Sequence, residues 1–187
     1  MTARITRNSQ DSKSDILRAA LEVVRRSGAQ GLTIDAVAEE SGFSKGGVLY
    51  NFPSKDALIM GMVQFLAGQF EAEVGAARAR RLGLECPTLQ AMIDVTEGWL
   101  HEQRDLAQAI LATKATQPDL SEPFVEVKAR LKAAIEAETA DLGRAWAIWA
   151  SLEGLHFSGA HCVSVFSEDE RAAIFKDLRE RLNKNQT

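Results

Sequence analysis

Proline is scarce in this chain, with 4 residues among 187, and aromatic residues make up only 6%. Valine, isoleucine and the aromatics never alternate with polar residues over a strand-length run. Without that period of two half-buried strands find no support, and plentiful alanine and leucine make an all-α fold the leading class. Cysteine is nearly absent. Cys86 and Cys162 fit no C-x-x-C pattern and no secretory leader precedes them, so both are expected as free thiols in a reducing cytoplasm. The longest apolar runs, such as ALIMGMVQFLAG, fall well short of a membrane span, so no membrane contact is expected.

A strong charge of either sign is also lacking, since the net charge is only −4. Residues 1–55 hold eight basic and six acidic side chains, a surplus of two that leaves −6 on the rest. A mildly basic head on an acidic body suits a small DNA-binding unit attached to a larger domain. Hydrophobic residues at 45% supply a core, which excludes the disordered class.

Residues 1–10 read as a polar arm carrying Arg4 and Arg7. A first helix is expected from about Asp11, with Ile16, Ala20, Val23 and Val24 as its apolar stripe, widened by Leu17 and Leu21. Arg25, Arg26 and Gly28 should end it, the glycine in the left-handed conformation. Thr33 caps a short second helix that closes at Gly42, and Ser44 caps a third that Pro53 stops. Two short helices around a glycine-bearing turn form a helix-turn-helix. Ser54 then caps a long helix, apolar over much of its circumference through Leu58, Ile59, Met62, Val63, Phe65, Leu66, Phe70 and Val74. Such a helix packs on two sides, so residues 1–54 are expected as the head and 55–187 as the body. Further helices are expected at about Thr88–His101, Asp105–Thr116, Glu122–Ala140, Leu142–His161 and Ser167–Asn183.

The stretch GFSKGGVLYNFPSKDAL, from Gly42 to Leu58, contains the chain's one tyrosine and two adjacent glycines. A phosphate loop would need Gly-Lys-Ser/Thr after a buried strand, and neither the order nor the strand is present. A recognition helix accounts for more. Each glycine costs a helix about 1 kcal/mol, and glycine lets the backbone approach a groove closely. Lys45, long and cationic at the helix start, suits a base edge. Ser44, Tyr50 and Lys55 suit phosphates, and Thr33 reaches the backbone from the other side. Val48, Leu49 and Phe52 read as core.

Residues 16–58 resemble the N-terminal domain of tetracycline-repressor (TetR) family regulators. The resemblance is carried by Ile16, Leu17, Ala19, Ala20, Gly28, Thr33, Ile34, Val37, Ala38, the run Ser41-Gly42-Phe43-Ser44, Gly46, Leu49-Tyr50, Phe52 and Ser54-Lys55. The family often has histidine after the tyrosine, where this chain has Asn51. The resemblance implies an all-helical homodimer, joined through its last two helices, whose heads read half-sites of a near-palindromic operator. It implies a repressor that a small molecule, bound in the body, releases from DNA. Thr33, Ser44, Lys45, Gly46, Gly47, Tyr50, Asn51 and Lys55 are the expected DNA-contacting set. A dimeric small-molecule-binding protein with weak or non-specific DNA binding is the alternative.

In the body, Leu142, Trp146, Trp149, Glu153, His156 and Ala160 share one stripe, beside an apolar stripe of Ala145, Ile148, Leu152, Leu155 and Gly159. Two tryptophans with a carboxylate and an imidazole suit a small-molecule site, and equally core or dimer interface. If interface, then Phe65, Met92, Thr96, Trp99 and Phe124 are the pocket candidates. Few basic residues accompany them, which favours a neutral or cationic effector. Gly154 and Gly159 would permit close helix approach. His156 and His161 are five apart, off a common helical face, so no metal is expected, and no nucleophile accompanies Glu153 and His156. Neither enzyme activity nor a cofactor is expected.

Overall fold

The computed structural model describes residues 9–102, 118–160 and 163–183. The expected helix at Asp105–Thr116, the arm with Arg4 and Arg7, and His161 and Cys162 lie outside the described residues. Among the described residues the chain is helical, without strands. Its helices are α1 (Ser9–Gly31), α2 (Ile34–Ser41), α3 (Lys45–Asn51), α4 (Lys55–Ala79), α5 (Pro87–Glu102), α6 (Glu122–Glu138), α7 (Leu142–Ala160) and α8 (Glu168–Asn183), with a 3₁₀ turn at Pro118–Ser121. No helix is long and apolar enough to cross a membrane among these residues.

The head is α1, α2 and α3 around Ile16, Ala20, Val23, Val24, Leu32, Val37, Val48 and Phe52, all buried. Gly28 does take a positive φ of 65°, but with ψ −176° it is not in the left-handed helical well, and a further turn runs to Gly31. The first helix therefore kinks at Gly28 where the sequence predicted a cap.

The long α4 joins head to body. Its first half packs on α1 and its later turns on α5 and α6. Leu58, Ile59, Met62, Val63, Leu66, Phe70 and Val74 are all buried, which explains the broad apolar circumference. Gly61 has no exposed role. A β-carbon there would lie 2.6 Å from Cε1 of Phe52 and 3.3 Å from Cδ2 of Leu17. Its hydrogen lets the head's last aromatic ring seat directly on the α4 backbone.

Helix α5 is the hub of the body and touches α4, α6, α7 and α8. Polar ties close the helix ends. Glu138 of α6 accepts from the Thr88 N–H and hydroxyl, both at 2.8 Å, and from Arg78 Nε at 2.7 Å. Asp94 of α5 accepts from Arg81 and from Arg179 of α8. Gly159, expected to admit a second helix, faces Leu100 of α5 at 3.4 Å, so its close approach is internal, whereas Gly154 opens to the surface.

Candidate nucleic-acid interface

Three side-chain caps shape the reading head. Thr33 Oγ1 accepts from the Ala36 N–H at 3.1 Å, Ser44 Oγ from Gly47 at 3.1 Å and Ser54 Oγ from Ala57 at 3.0 Å. Each satisfies a helix N–H that would otherwise lack an acceptor. Gly42, at φ 70° and ψ 11°, ends α2 in the left-handed conformation that a β-carbon disfavours. The chain then re-enters a helix after Phe43 and Ser44, which sets the angle between α2 and α3.

Val48 and Phe52 turn one side of α3 into the core. The other side is free. Tyr50 is 86% exposed, and Lys45, Gly46 and Lys55 are exposed beside it. A tyrosine ring left in water is not packing against its own chain, which makes it available to a partner. Thr33 at the start of α2 is exposed as well. The two glycines separate in role. Nothing lies within 4 Å of a β-carbon built on Gly46, so that position is open surface, whereas one on Gly47 would press on Ser44 Oγ at 3.3 Å. Gly47 serves the cap, and Gly46 keeps the outer face flat.

One expected residue differs from its reading. Leu49 was expected in the core but is 36% exposed. A helix of seven residues makes about two turns, so spacing alone defines its inward face poorly. Asn51 Nδ2 donates to the Gly47 carbonyl at 2.9 Å, so its amide is turned back onto its own helix. Lys45 Nζ donates to Asp35 Oδ2 at 3.0 Å. Asp35 stands in the first turn of α2. Its partner is ten residues away on another helix, and no local signal links them.

The nine positions expected to line a small-molecule site fall in separate surroundings. Phe65 borders a groove between α1, α2 and α4, with the Arg18 guanidinium 5.9 Å from its ring centre. Met92, Thr96 and Trp99 are buried in α5. Trp99 packs edge-on to Phe70 at 5.2 Å and donates its Nε1–H to Glu73 at 2.8 Å. Phe124 of α6 is half-buried against the core.

Trp146, Trp149, Glu153 and His156 do gather, on the side of α7 that meets α6. The two indoles stand 6.0 Å apart, and Trp149 Nε1–H donates to Glu153 at 3.2 Å. Lys128 of α6 pairs with Glu153, and Lys132 sits 5.3 Å above the Trp146 ring. The scarcity of basic residues is thereby corrected. The cations come from a neighbouring helix, so the preference for a neutral or cationic effector loses its ground.

Burial pushes the His156 imidazole below its ordinary range, Lys128 adds to this, and Glu153 opposes it. The unfolded chain therefore binds that proton more readily than the folded one. This group's contribution is complete above about pH 6.5, the unfolded value, and is lost as pH falls from there through the lower folded value. We expect the melting temperature to drop between pH 7.5 and 5.5, and to drop less in His156→Gln. Parallel melting curves for the two proteins would contradict that assignment.

Cys86 is buried, and burial pushes its thiol up to about 11, so it is a thiol and not a nucleophile near neutral pH. Among the described residues no group of three or more His, Cys, Asp or Glu is placed to hold a metal ion.

Comparison with known proteins gives two family matches. A family model described as "Tetracyclin repressor-like, C-terminal domain" matches residues 87–183. A second, "Bacterial regulatory proteins, tetR family", matches residues 16–61. YfiR of Bacillus subtilis strain 168, an uncharacterized HTH-type transcriptional regulator, is 35% identical over 65 residues. The match covers 34% of this chain and 32% of YfiR, so the chain spans about a third of that relative's length. A TetR transcription regulator of Haloarcula marismortui superposes with a TM-score of 0.70 at 19% identity, over 94% of this chain and 98% of that one. The multidrug binding protein EbrR, complexed with proflavin, gives 0.60 at 22% identity, over 91% and 99%. At these identities the two structures speak to the fold.

Proposed function

This chain belongs to the tetracycline-repressor family of regulatory proteins, and from that premise we propose that it is a sequence-specific DNA-binding repressor released by a small-molecule effector. The observation that carries the reading is the outer face of α3, where Tyr50 stands in water beside Lys45, Gly46 and Lys55. Lys45 reads a base edge, while Thr33, Ser44, Tyr50 and Lys55 hold the phosphates that fix register. Gly46 allows close approach, Gly47 leaves room for the Ser44 cap that aims α3, and Asn51, with one amide hydrogen on the Gly47 carbonyl, offers its other to a phosphate. Residues 1–54 act as the reading unit, and residues 55–187 bind effector and partner.

Dimerisation through α7 and α8 is supported by an open groove of about 620 Å³ between them, bordered by Ala147, Ser151, Ala173 and Ile174. Ile148, Ile174 and Leu178 give it apolar surface for a second pair of helices to cover, with Arg144, Asp177 and Arg181 at its polar margin. For the effector, the Trp146–Trp149–Glu153–His156 cluster offers aromatic surface with hydrogen-bonding groups.

The reading is tested by fluorescence anisotropy with a labelled duplex from upstream of the chain's own coding sequence and a scrambled control. Preference for the native duplex with steep salt dependence supports it, and equal affinity for both opposes it. In the same assay Lys55→Ala should weaken binding to both duplexes alike and lower the salt slope by about 1. A change in preference would remove Lys55 from the phosphate contacts.

A further inference from the structure

We propose that Asp35 is a specificity-determining residue that, with Lys45, reads one G·C base pair in each half-site, Lys45 donating to guanine and Asp35 accepting from the cytosine amino group. This rests on the DNA-reading assignment above. The two side chains reach toward each other from the starts of α2 and α3, with Lys45 Nζ 3.0 Å from Asp35 Oδ2. They are 60% and 71% exposed, and an ion pair so open to water adds little to stability. The packing of α2 on α3 is already made by buried Val37 and Val48, and Thr33 already caps α2. Neither charge is needed to build the head.

A surface evolved only to hold phosphates would not carry a carboxylate at its front. Every phosphate nearby repels it. The carboxylate becomes favourable only where a base offers it a hydrogen-bond donor. In the major groove those donors are the N4 amino group of cytosine and the N6 amino group of adenine. The G·C edge runs N7, O6 and N4: two adjacent acceptors, then a donor. A compact ammonium beside a carboxylate matches that order, with the lysine on N7 and O6 and the aspartate on N4. The A·T edge places its donor between its acceptors and adds a methyl group, so the lysine gains one acceptor where guanine gives it two. Asp35 has a second effect. By occupying Lys45 it keeps that ammonium from seizing phosphates at arbitrary sequences, which is discrimination by penalty against wrong sites.

The test selects sites from a randomised duplex library with the wild-type protein. The affinities of wild type, Asp35→Ala and Asp35→Asn are then measured for the selected duplex, for every single-base-pair variant and for a scrambled duplex. We expect one G·C position per half-site at which wild type discriminates by about tenfold or more. Asp35→Ala should lose that discrimination while binding the scrambled duplex several-fold more tightly. Asp35→Asn, which both donates and accepts, should shift the preference there toward A·T. A structural role for Asp35 in the first turn of α2 would instead lower the melting temperature and leave base preference unchanged. Unchanged discrimination in Asp35→Ala, or discrimination lost at an A·T position, overturns the proposal alone. A wild-type protein that selects no site overturns the DNA-reading assignment and the proposal with it.

Discussion

Gly61→Val should destabilise the protein by about 3 kcal/mol and abolish DNA binding at temperatures where the wild type is folded. A β-carbon at this position already lies 2.6 Å from Phe52, well inside contact distance. The Phe52 ring is buried in the head's core. It also ends α3, with its N–H donating to the Val48 carbonyl at 2.8 Å, so displacing it moves the reading helix. Gly61→Ala separates helix propensity from packing. Alanine favours a helix over glycine by about 1 kcal/mol, so the clash equals the net loss in that variant plus this gain. Urea denaturation followed by circular dichroism gives the size of both effects. An unchanged midpoint for Gly61→Val would mean that the ring is not seated on α4 in solution.

Glu138→Ala should cost about 2–4 kcal/mol, because it strips acceptors from a buried junction. Thr88 is fully buried, and Glu138 accepts from both its N–H and its hydroxyl at 2.8 Å. Arg78 Nε, at 2.7 Å, ties the end of α4 to the same carboxylate. Without Glu138 the first turn of α5 loses its acceptor in a place water reaches poorly. Glu138→Gln keeps an acceptor and should lose clearly less. Glu71→Ala is the contrast. Its bidentate pair with Arg130, at 2.6 and 2.8 Å, lies at the surface, and its removal should scarcely move the unfolding midpoint. Equal losses for Glu138→Ala and Glu71→Ala would contradict the distinction.

The parts of this protein legible in its sequence are those written locally. Thr33, Ser44 and Ser54 cap their helices through hydrogen bonds spanning three residues, and Gly42 stops α2 by its own backbone. The apolar circumference of α4 foretold contacts on two sides, because burial along a 25-residue helix repeats often enough to be read. The seven residues of α3 gave no such repetition, and Leu49 was misplaced.

What stayed hidden depends on partners distant in the chain. Asp35 meets Lys45 from another helix, and Lys128 and Lys132 meet Glu153 and Trp146 across the α6–α7 contact. A stripe on one helix shows which side chains share a face, and not what faces them. Gly61 carries no local mark either, because its helical backbone suits any residue and only the distant Phe52 requires a hydrogen there. Phe65, Met92, Thr96, Trp99 and Phe124 lie in surroundings separate from the gathered α7 cluster for the same reason. Aromatic content along a helix does not distinguish the buried Trp99 from the half-exposed Trp146.

Whether the outer face of α3 reads DNA sequence is decided by in vitro selection from a randomised duplex library with the whole 187-residue chain. A two-fold symmetric site should be enriched, bound with strong salt dependence and lost in Tyr50→Ala combined with Lys45→Ala. Failure to enrich any site, or a selected site that the double variant binds as tightly as wild type, would contradict the assignment of α3 as the reading helix.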